Sequence, residues 1–477
     1  MDLHVTLTGT GDLTAQIYAQ LRDAVLEGRL AGGDRLPASR DLAVRLDVAR
    51  GTVTAAYDRL LAEELLEARR GAGTFVAPGC VPPAAPTRAA RAAGVLTPRG
   101  PWQVPGEPPQ LPGEVAVDFS VGVPDPDLFP LATWRRLVSG ALRRGRLSTV
   151  TYGDTGPSRL EEQVARHAGL SRSVSARPED VVVTAGAQQA LDLVARLLVE
   201  PGDVVAVEDP GYTAAARLLE THRARVRGVP VDGEGLVVEA LPDAARLVYV
   251  TPSHQHPTGA AMSLARRIAL LQWASRHDAV VVEDDYDSEF RFADRPLEPL
   301  QSLDREGRVV YVGSFSKSLL PALRVGYAVA PPSLSGALRE ARRVTAWSGD
   351  AVTHEALADF LAEGHHGAHV RRATKVYRER RERLLDALTG LDEHLDVVPS
   401  AAGLHVCAVL RDPELDDATV AGQTLASGVF VEPLSTRHRE QPVRHGLVLG
   451  VGAVPADRVG PGVAALAAVL RRRRRRP

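Results

Sequence analysis

The sequence predicts a chain of two folded parts, a helix–turn–helix unit with a small hairpin wing and a large α/β domain on a mostly parallel sheet. Three observations predict it. Residues 10–78 carry helical apolar periods and close on strand-like flanks around a glycine turn. Residues 79–114 are rich in Pro, Ala, Gly and Arg and hold no apolar period, as a flexible linker would. From residue 115 to 470, short β-branched runs alternate with longer helical patterns. A length of 477 residues is ample for two or three cores.

In "TAQIYAQLRDAVLEGRL", Ile17, Leu21 and Val25 form one apolar stripe at i, i+4, i+8. Ser39 is placed to cap a second, short helix carrying Leu42 and Leu46 inward. The chain turns at Asp47-Val48, and Val53, Tyr57 and Leu60 mark a third helix. "LLEARRGAGTFVA" then reads as a hairpin turning at Gly71–Gly73. Two helices on a short turn with a wing fit a DNA-reading motif whose second helix enters the major groove.

In the large domain, "DVVVTAG", "DVVAVEDPGY", "ARLVYVTPS", "AVVVEDDYD" and "RVVYVGSFS" are apolar strands that each end in polar or turn residues. A parallel sheet covered on both faces gathers such ends at one edge, where ligands bind. One residue there is unusual for this chain. All but two of its 57 Lys+Arg residues are arginine, and one of the two lysines, Lys317, stands in "GSFSKSLLPALRVGY". An amine can lose its proton and attack a carbonyl, whereas a guanidinium cannot. Ser314, Ser316 and Arg324 beside it suit a phosphate, and the helix start at Gly186, Ala187 and Gln188 offers amides to an anion. "AVVVEDDYD" delivers Asp284 and Tyr286. An amine, a carboxylate, a phenol and an anion cradle are what a pyridoxal phosphate site requires. Lys375, in "RRATKVYRERRERLL", reads as part of an exposed helical face.

Composition sets wide bounds. A net charge of −2, 44% apolar and 24% charged residues describe an ordinary globular protein. Cys80 and Cys407 are too few for a disulfide framework, and no apolar run is long enough to span a membrane; a cytoplasmic protein is expected. The final residues, 471–477, include six arginines and read as a solvated tail. "GHHGAH" spaces His365, His366 and His369 as a metal site might, but no metal is expected.

Two resemblances rest on these residues. "GRLAGGDRLPASRDLAVRLDVARGTVTAAYDRLLAEELLEARRGAGTFV" resembles the winged helices of the GntR family. The likeness implies a DNA face made of Arg40, Ala49, Arg50, Gly51, Thr52, Thr54 and Gly71, with Arg40 on phosphate, Arg50 and Thr52 at the start of the recognition helix, and Gly71 bringing the wing toward the minor groove. Ala49 stands where the family usually has Ser or Thr, so the recognition helix lacks a hydroxyl cap. The large domain, through "YGDTGPSRLEEQVARH", "TAGAQQALDLVARLL", "VEDPGYTAAA", "TPSHQHPTGAAMS", "VEDDYDSEFRF" and "SFSKSLLPALRVGY", resembles the fold-type I aminotransferases and most closely the MocR (GabR-like) regulators.

That likeness implies pyridoxal 5'-phosphate as cofactor, with Lys317 forming the Schiff base, Asp284 on the pyridine nitrogen and Tyr286 on the ring hydroxyl. It further implies Tyr212 on the ring face, Arg324 and Ser314 on the phosphate, and Tyr152 reaching across from a partner subunit of a head-to-tail homodimer. Gln255 or His254 takes the place of the usual asparagine before "PTG". Val448 stands where this fold carries the arginine for a substrate carboxylate; Arg444 or Arg437 could substitute, though neither is in register. The expectation is a pyridoxal phosphate-dependent regulator that binds a double-stranded DNA operator and senses the cofactor or an amine or amino-acid effector. It is not expected to work as an enzyme; the alternative is an active aminotransferase with an appended DNA-binding domain.

Overall fold

The computed structural model describes residues 5–8, 11–79, 101–102, 115–143, 157–292, 298–347, 349–440 and 444–473. The chain divides into two compact units, residues 1–98 and 99–477. Tyr152, most of the 79–114 segment and the end of the arginine run lie outside the described residues.

In the first unit, α1 (Leu13–Leu26), α2 (Ser39–Leu46) and α3 (Arg50–Ala62) precede the antiparallel hairpin of β1 (Leu66–Arg69) and β2 (Gly73–Val76). The predicted apolar stripes meet in one core of Ile17, Leu21, Val25, Leu42, Val53, Tyr57 and Leu60. Asp12 caps α1 by accepting from the Ala15 amide at 3.1 Å. The cap expected of Ser39 does not form, because Ser39 is already helical and the N-cap is Ala38. The turn does fall at Asp47, which takes the left-handed conformation at φ +53°. Ala49 is the N-cap of α3 and makes no side-chain hydrogen bond, as its missing hydroxyl dictates.

The large unit is built on an eight-stranded sheet in the order β4-β11-β10-β9-β8-β5-β6-β7. These are β4 (Val181–Thr184), β5 (Val204–Asp209), β6 (Arg225–Asp232), β7 (Gly235–Leu236), β8 (Ala245–Val250), β9 (Val280–Asp285), β10 (Val309–Ser314) and β11 (Gly326–Val329). From β6 through β5, β8 and β9 to β10 the pairing is parallel, while β11 runs antiparallel to both of its neighbours.

Alternate residues of each strand go to opposite faces, and both faces are dry. Val205, Val207, Val310 and Val312 pack under the helices Ala187–Leu198, Thr213–Thr221 and Pro332–Ala346. On the other face Ala206, Val248 and Val281 meet Leu270 and Trp273 of the helix Leu264–Arg276, and Tyr311 and Val183 meet Leu160 and Val164 of the helix Arg159–Arg172. Burial on both faces explains why these strands read as unbroken apolar runs.

A second, antiparallel sheet has the order β12-β13-β16-β15: β12 (Leu395–Val397), β13 (His405–Leu410), β16 (Gly446–Gly450) and β15 (Glu432–Pro433). It is covered by Leu384 and Leu388 of the helix His365–Thr389, Val420 of Asp417–Ala426 and Leu466 of Ala456–Arg473. The last helix continues three residues into the arginine run, beyond the boundary expected at 470.

Candidate cofactor site and nucleic-acid face

Lys317 follows β10 in a cavity of about 250 Å³, lined among others by Gly122, Ala187, Gln188, Tyr212, Tyr249, His256, Asp284, Tyr286, Ser314, Ser316, Arg324 and Arg437. The ends of β9 and β10 deliver Asp284 and Ser314, as the sequence predicts, whereas Gly122 and Arg437 come from segments outside the eight-stranded sheet. Lys317 Nζ donates to the Gly122 carbonyl at 2.7 Å. Burial lowers the lysine from its ordinary range, and Asp287 and Asp284 only partly offset this. Gly122 has φ +70°, and a Cβ there would lie 2.7 Å from Nζ. A glycine is therefore required at this approach.

Asp284 and Asp285, adjacent in β9, face opposite ways and have opposite fates. Burial pushes Asp284 up to about 7 against the bond that Tyr249 Oη donates to its Oδ2 at 2.6 Å. Its other oxygen, Oδ1, is buried and without a hydrogen-bond partner among the described residues. Asp285 is equally buried, but the charge of Arg172, with hydrogen bonds from Ser288 and Tyr311, outweighs that burial and holds it below the ordinary carboxylate range. Arg172 Nε donates to it at 2.5 Å and Tyr311 Oη at 2.6 Å. Asp285 is thus a closed structural ion pair, while Asp284 keeps one acceptor for a donor in the cavity.

Gly186, at φ +87°, is the N-cap of Ala187–Leu198 and supplies no side chain to its free amides. A Cβ on it would stand 3.0 Å from Arg324 Nη2, so the glycine also makes room for the guanidinium. Arg324 donates to the Ala185 carbonyl at 2.7 Å, and the Ser316 amide donates to Ser314 Oγ at 3.1 Å. The helix start at Ala187 and Gln188, Ser314, Ser316 and Arg324 all line the cavity, a set of donors whose chemistry suits a polyanion. Gln188 Nε2 donates to Tyr212 Oη at 3.2 Å, fixing that ring on the cavity wall.

Tyr286 Oη lies 3.1 Å from His254 Nδ1, which also lies 3.0 Å from Asp287. His254 therefore braces Tyr286 from behind. Gln255 differs from its expected role: it is fully buried, donating to Pro210 and His256 carbonyls at 2.8 and 2.7 Å and accepting from Thr258 at 2.6 Å. Its polar atoms knit the loop, and it does not line the cavity; His256 does. Val448 is fully buried in a small cluster with Cys407 and Leu434. Of the two nearby arginines, Arg437 lines the cavity with its guanidinium paired to Glu432, while Arg444 is exposed.

Tyr249 and Gly122 were not foreseen in the sequence, while Arg437, one of the two arginines offered in place of Val448, does line the cavity. Tyr249 carried a signal, the single tyrosine of the aliphatic run "ARLVYV" one strand away from Asp284. The histidines of "GHHGAH" diverge: His365 meets Glu363 at 3.0 Å, His366 turns inward to Ser318 at 3.1 Å and His369 lies 3.3 Å from Arg372.

On the first unit, Arg40, Ala49, Arg50, Gly51, Thr54 and Gly71 are exposed and Thr52 is half-buried. The Arg40 side chain is 78% exposed, with Asp41 as its salt-bridge partner among the described residues at 3.3 Å. Thr54 Oγ1 donates to the Arg50 carbonyl at 3.0 Å, which turns its hydroxyl along the helix. Gly71 has φ +75° with open space around it, so conformation rather than crowding calls for glycine in the wing.

Comparison with known proteins defines the class. Residues 13–76 match the family model "Bacterial regulatory proteins, gntR family", and residues 117–443 match "Aminotransferase class I and II". A winged helix of the first kind joined to a domain of the second marks a transcriptional regulator of composite build. The probable rhizopine catabolism regulatory protein MocR of Rhizobium meliloti is 38% identical over 94% of this chain and 92% of its own length. The HTH-type transcriptional regulator TauR of Rhodobacter capsulatus is also 38% identical, over 89% of each chain. The chain belongs to this MocR type of GntR regulators. Among solved structures, the kynurenine aminotransferase of Pyrococcus horikoshii, crystallised with PMP, aligns at a TM-score of 0.70 and 28% identity, covering 76% of this chain and 92% of that one.

Proposed function

We propose that the large unit holds pyridoxal 5'-phosphate on Lys317 and that its occupancy, or exchange with an effector amine, alters operator binding by the winged helix. The cofactor, when bound, supplies an aldehyde that condenses with amines and a pyridine ring that withdraws electrons. The observation that carries this reading is the pairing, in one cavity, of a half-buried amine with the Oδ1 of Asp284, which has no partner among the described residues. Asp284 would accept from the ring nitrogen and keep it protonated. Tyr286 would donate to the ring oxygen and Tyr212 cover the ring. Arg324, Ser314, Ser316 and the amides of Ala187 and Gln188 would bind the phosphate. Burial favours the neutral amine of Lys317, the form that attacks a carbonyl.

A sensing rather than catalytic role is supported by Val448, whose core packing leaves no arginine at that strand position for a substrate carboxylate. Transamination depends on an amino acid held in one orientation before its α-proton moves. The reading extends to a head-to-tail homodimer in the cytoplasm, with two winged helices on an operator of two half-sites.

The test is to compare the visible absorption band of lysine-bound cofactor and electrophoretic retardation of operator DNA, with and without cofactor, for the wild type and Lys317→Ala. The wild type should show the band and a cofactor-dependent shift, and the variant neither. A cofactor-dependent DNA shift that persists in Lys317→Ala would overturn the model. Rapid turnover of amino acids with keto acids would favour the aminotransferase reading.

A further inference from the structure

We propose that His167, Glu289 and His366 form a binding site for a divalent transition-metal cation of the zinc class, separate from the Lys317 cavity. His167 lies in the helix Arg159–Arg172, Glu289 in the segment after β9, and His366 in the first turn of the helix His365–Thr389. Each offers one ligand atom, and the three atoms lie within 4.8 Å of one another. The two imidazoles meet edge to face, 4.7 Å between centroids at 85°, and both rest on Phe315, at 5.8 and 5.6 Å.

Buried histidines and glutamates are more often satisfied core residues than ligands. Here the carboxylate is not satisfied: Glu289 Oε2 is buried and has no hydrogen-bond partner among the described residues. Arg172, one of four arginines lining the same cavity with Arg166, Arg291 and Arg371, directs Nε to Asp285 and Nη2 to Ser253 rather than to this carboxylate. All three residues line a cavity of about 630 Å³, which gives an entry path and room for water at an open coordination position. Two imidazoles with one carboxylate suit zinc and its neighbours in the first transition row, whereas an all-oxygen set would suit magnesium or calcium. The cation would clasp two helices and the β9 segment together. It would also sit beside Ser318, which His366 Nε2 approaches at 3.1 Å and which follows Lys317 directly in sequence.

The test uses the full chain, stripped with a chelator and titrated with Zn²⁺ by calorimetry, with metal content measured after gel filtration. The wild type should retain one zinc per chain, and both Glu289→Gln and His167→Gln should lose it. The affinity should fall by about 100-fold or more, since even outer-shell partners of a metal carry 10–100-fold. Both variants should keep the cofactor band, because neither residue lines the Lys317 cavity. Co²⁺ on the wild type gives a readout that needs no variant: an intense visible ligand-field absorption marks four- or five-coordination with nitrogen donors. Failure of the wild type to retain zinc, a weak six-coordinate cobalt spectrum, or stoichiometric zinc in both variants would each overturn the proposal.

Discussion

At the scale of single residues, the site turns on how β9 treats two neighbouring carboxylates. Asp285 is closed by Arg172 and Tyr311, and Asp284 is left with one donor, Tyr249, and one open oxygen. A hydrogen bond to a charged group contributes about 1.5–3 kcal/mol, so Asp284→Asn should weaken pyridoxal phosphate binding by about 10- to 100-fold in a spectral titration. Tyr249→Phe should have a smaller effect in the same direction, since it leaves Asp284 Oδ2 short of its donor without removing the charge. Unchanged affinity in Asp284→Asn would mean that the open oxygen does not face the ring. The sequence made Asp284, Tyr286, Lys317 and Arg324 legible because each sits at a strand end or turn beside other polar residues. Tyr249 and Gly122 were not legible, since their contacts come from strand adjacency and from a loop almost two hundred residues upstream of the lysine. Gln255 misled for a related reason: a polar residue in a site loop can spend its donors and acceptor on its own loop and on a neighbouring one, here the Pro210 carbonyl, and not on the cavity.

At the scale of elements, helix starts carry much of the function, and their caps differ. The helix Ala187–Leu198 begins with a glycine at φ +87° and open amides. Gly186→Ala would force a side chain into the left-handed region and against Arg324. Loss of one charge-assisted contact predicts at least about tenfold weaker phosphate-dependent cofactor binding, read by comparing pyridoxal phosphate with pyridoxal. The variant should discriminate between the two less than the wild type does; equal discrimination would rule out this helix start as the phosphate cup. Helix α3 also starts without a side-chain cap. Ala49→Ser should supply one, adding about 1 kcal/mol to the winged-helix unit. In a unit of this size that raises its calorimetric midpoint by about 4–8 °C. The helical periods and β-branched runs were legible throughout, because one-face and two-face burial leave different repeats. The boundary at Ser39 was not, because a hydroxyl residue reads alike at the N-cap and at the first helical position.

At the scale of the whole molecule, the large unit buries titratable groups of both kinds, and their signs fix how stability varies with pH. Burial pushes Glu208, Glu283 and Asp284 each up to about 7 in the folded chain, far above unfolded carboxylates. The folded state therefore holds protons that the unfolded state has released, and stability falls as pH rises through about 7. Burial also lowers His354 to about 4 and takes His256 and His405 well below the ordinary histidine range. Unfolded histidines take up protons below about pH 6.5, so these groups lose stability as pH falls below that value. Between pH 4 and 6.5 the two slopes oppose each other and largely cancel. Above about pH 7 the unfolded histidines are mostly neutral as well, and the buried carboxyls, with Glu289 pushed up to about 8, set the slope. The stability of the cofactor-free large unit should then fall between pH 6.5 and 8, by on the order of 1 kcal/mol per pH unit, and its thermal midpoint with it. Adding pyridoxal phosphate gives Asp284 a cationic partner and removes its share of that slope, and Asp284→Asn should flatten the cofactor-free curve in the same way. Calorimetry of the full chain across this window, with and without cofactor, checks both statements. A midpoint that rises from pH 6.5 to 8 in the cofactor-free protein would show that these carboxyls are already ionised when folded.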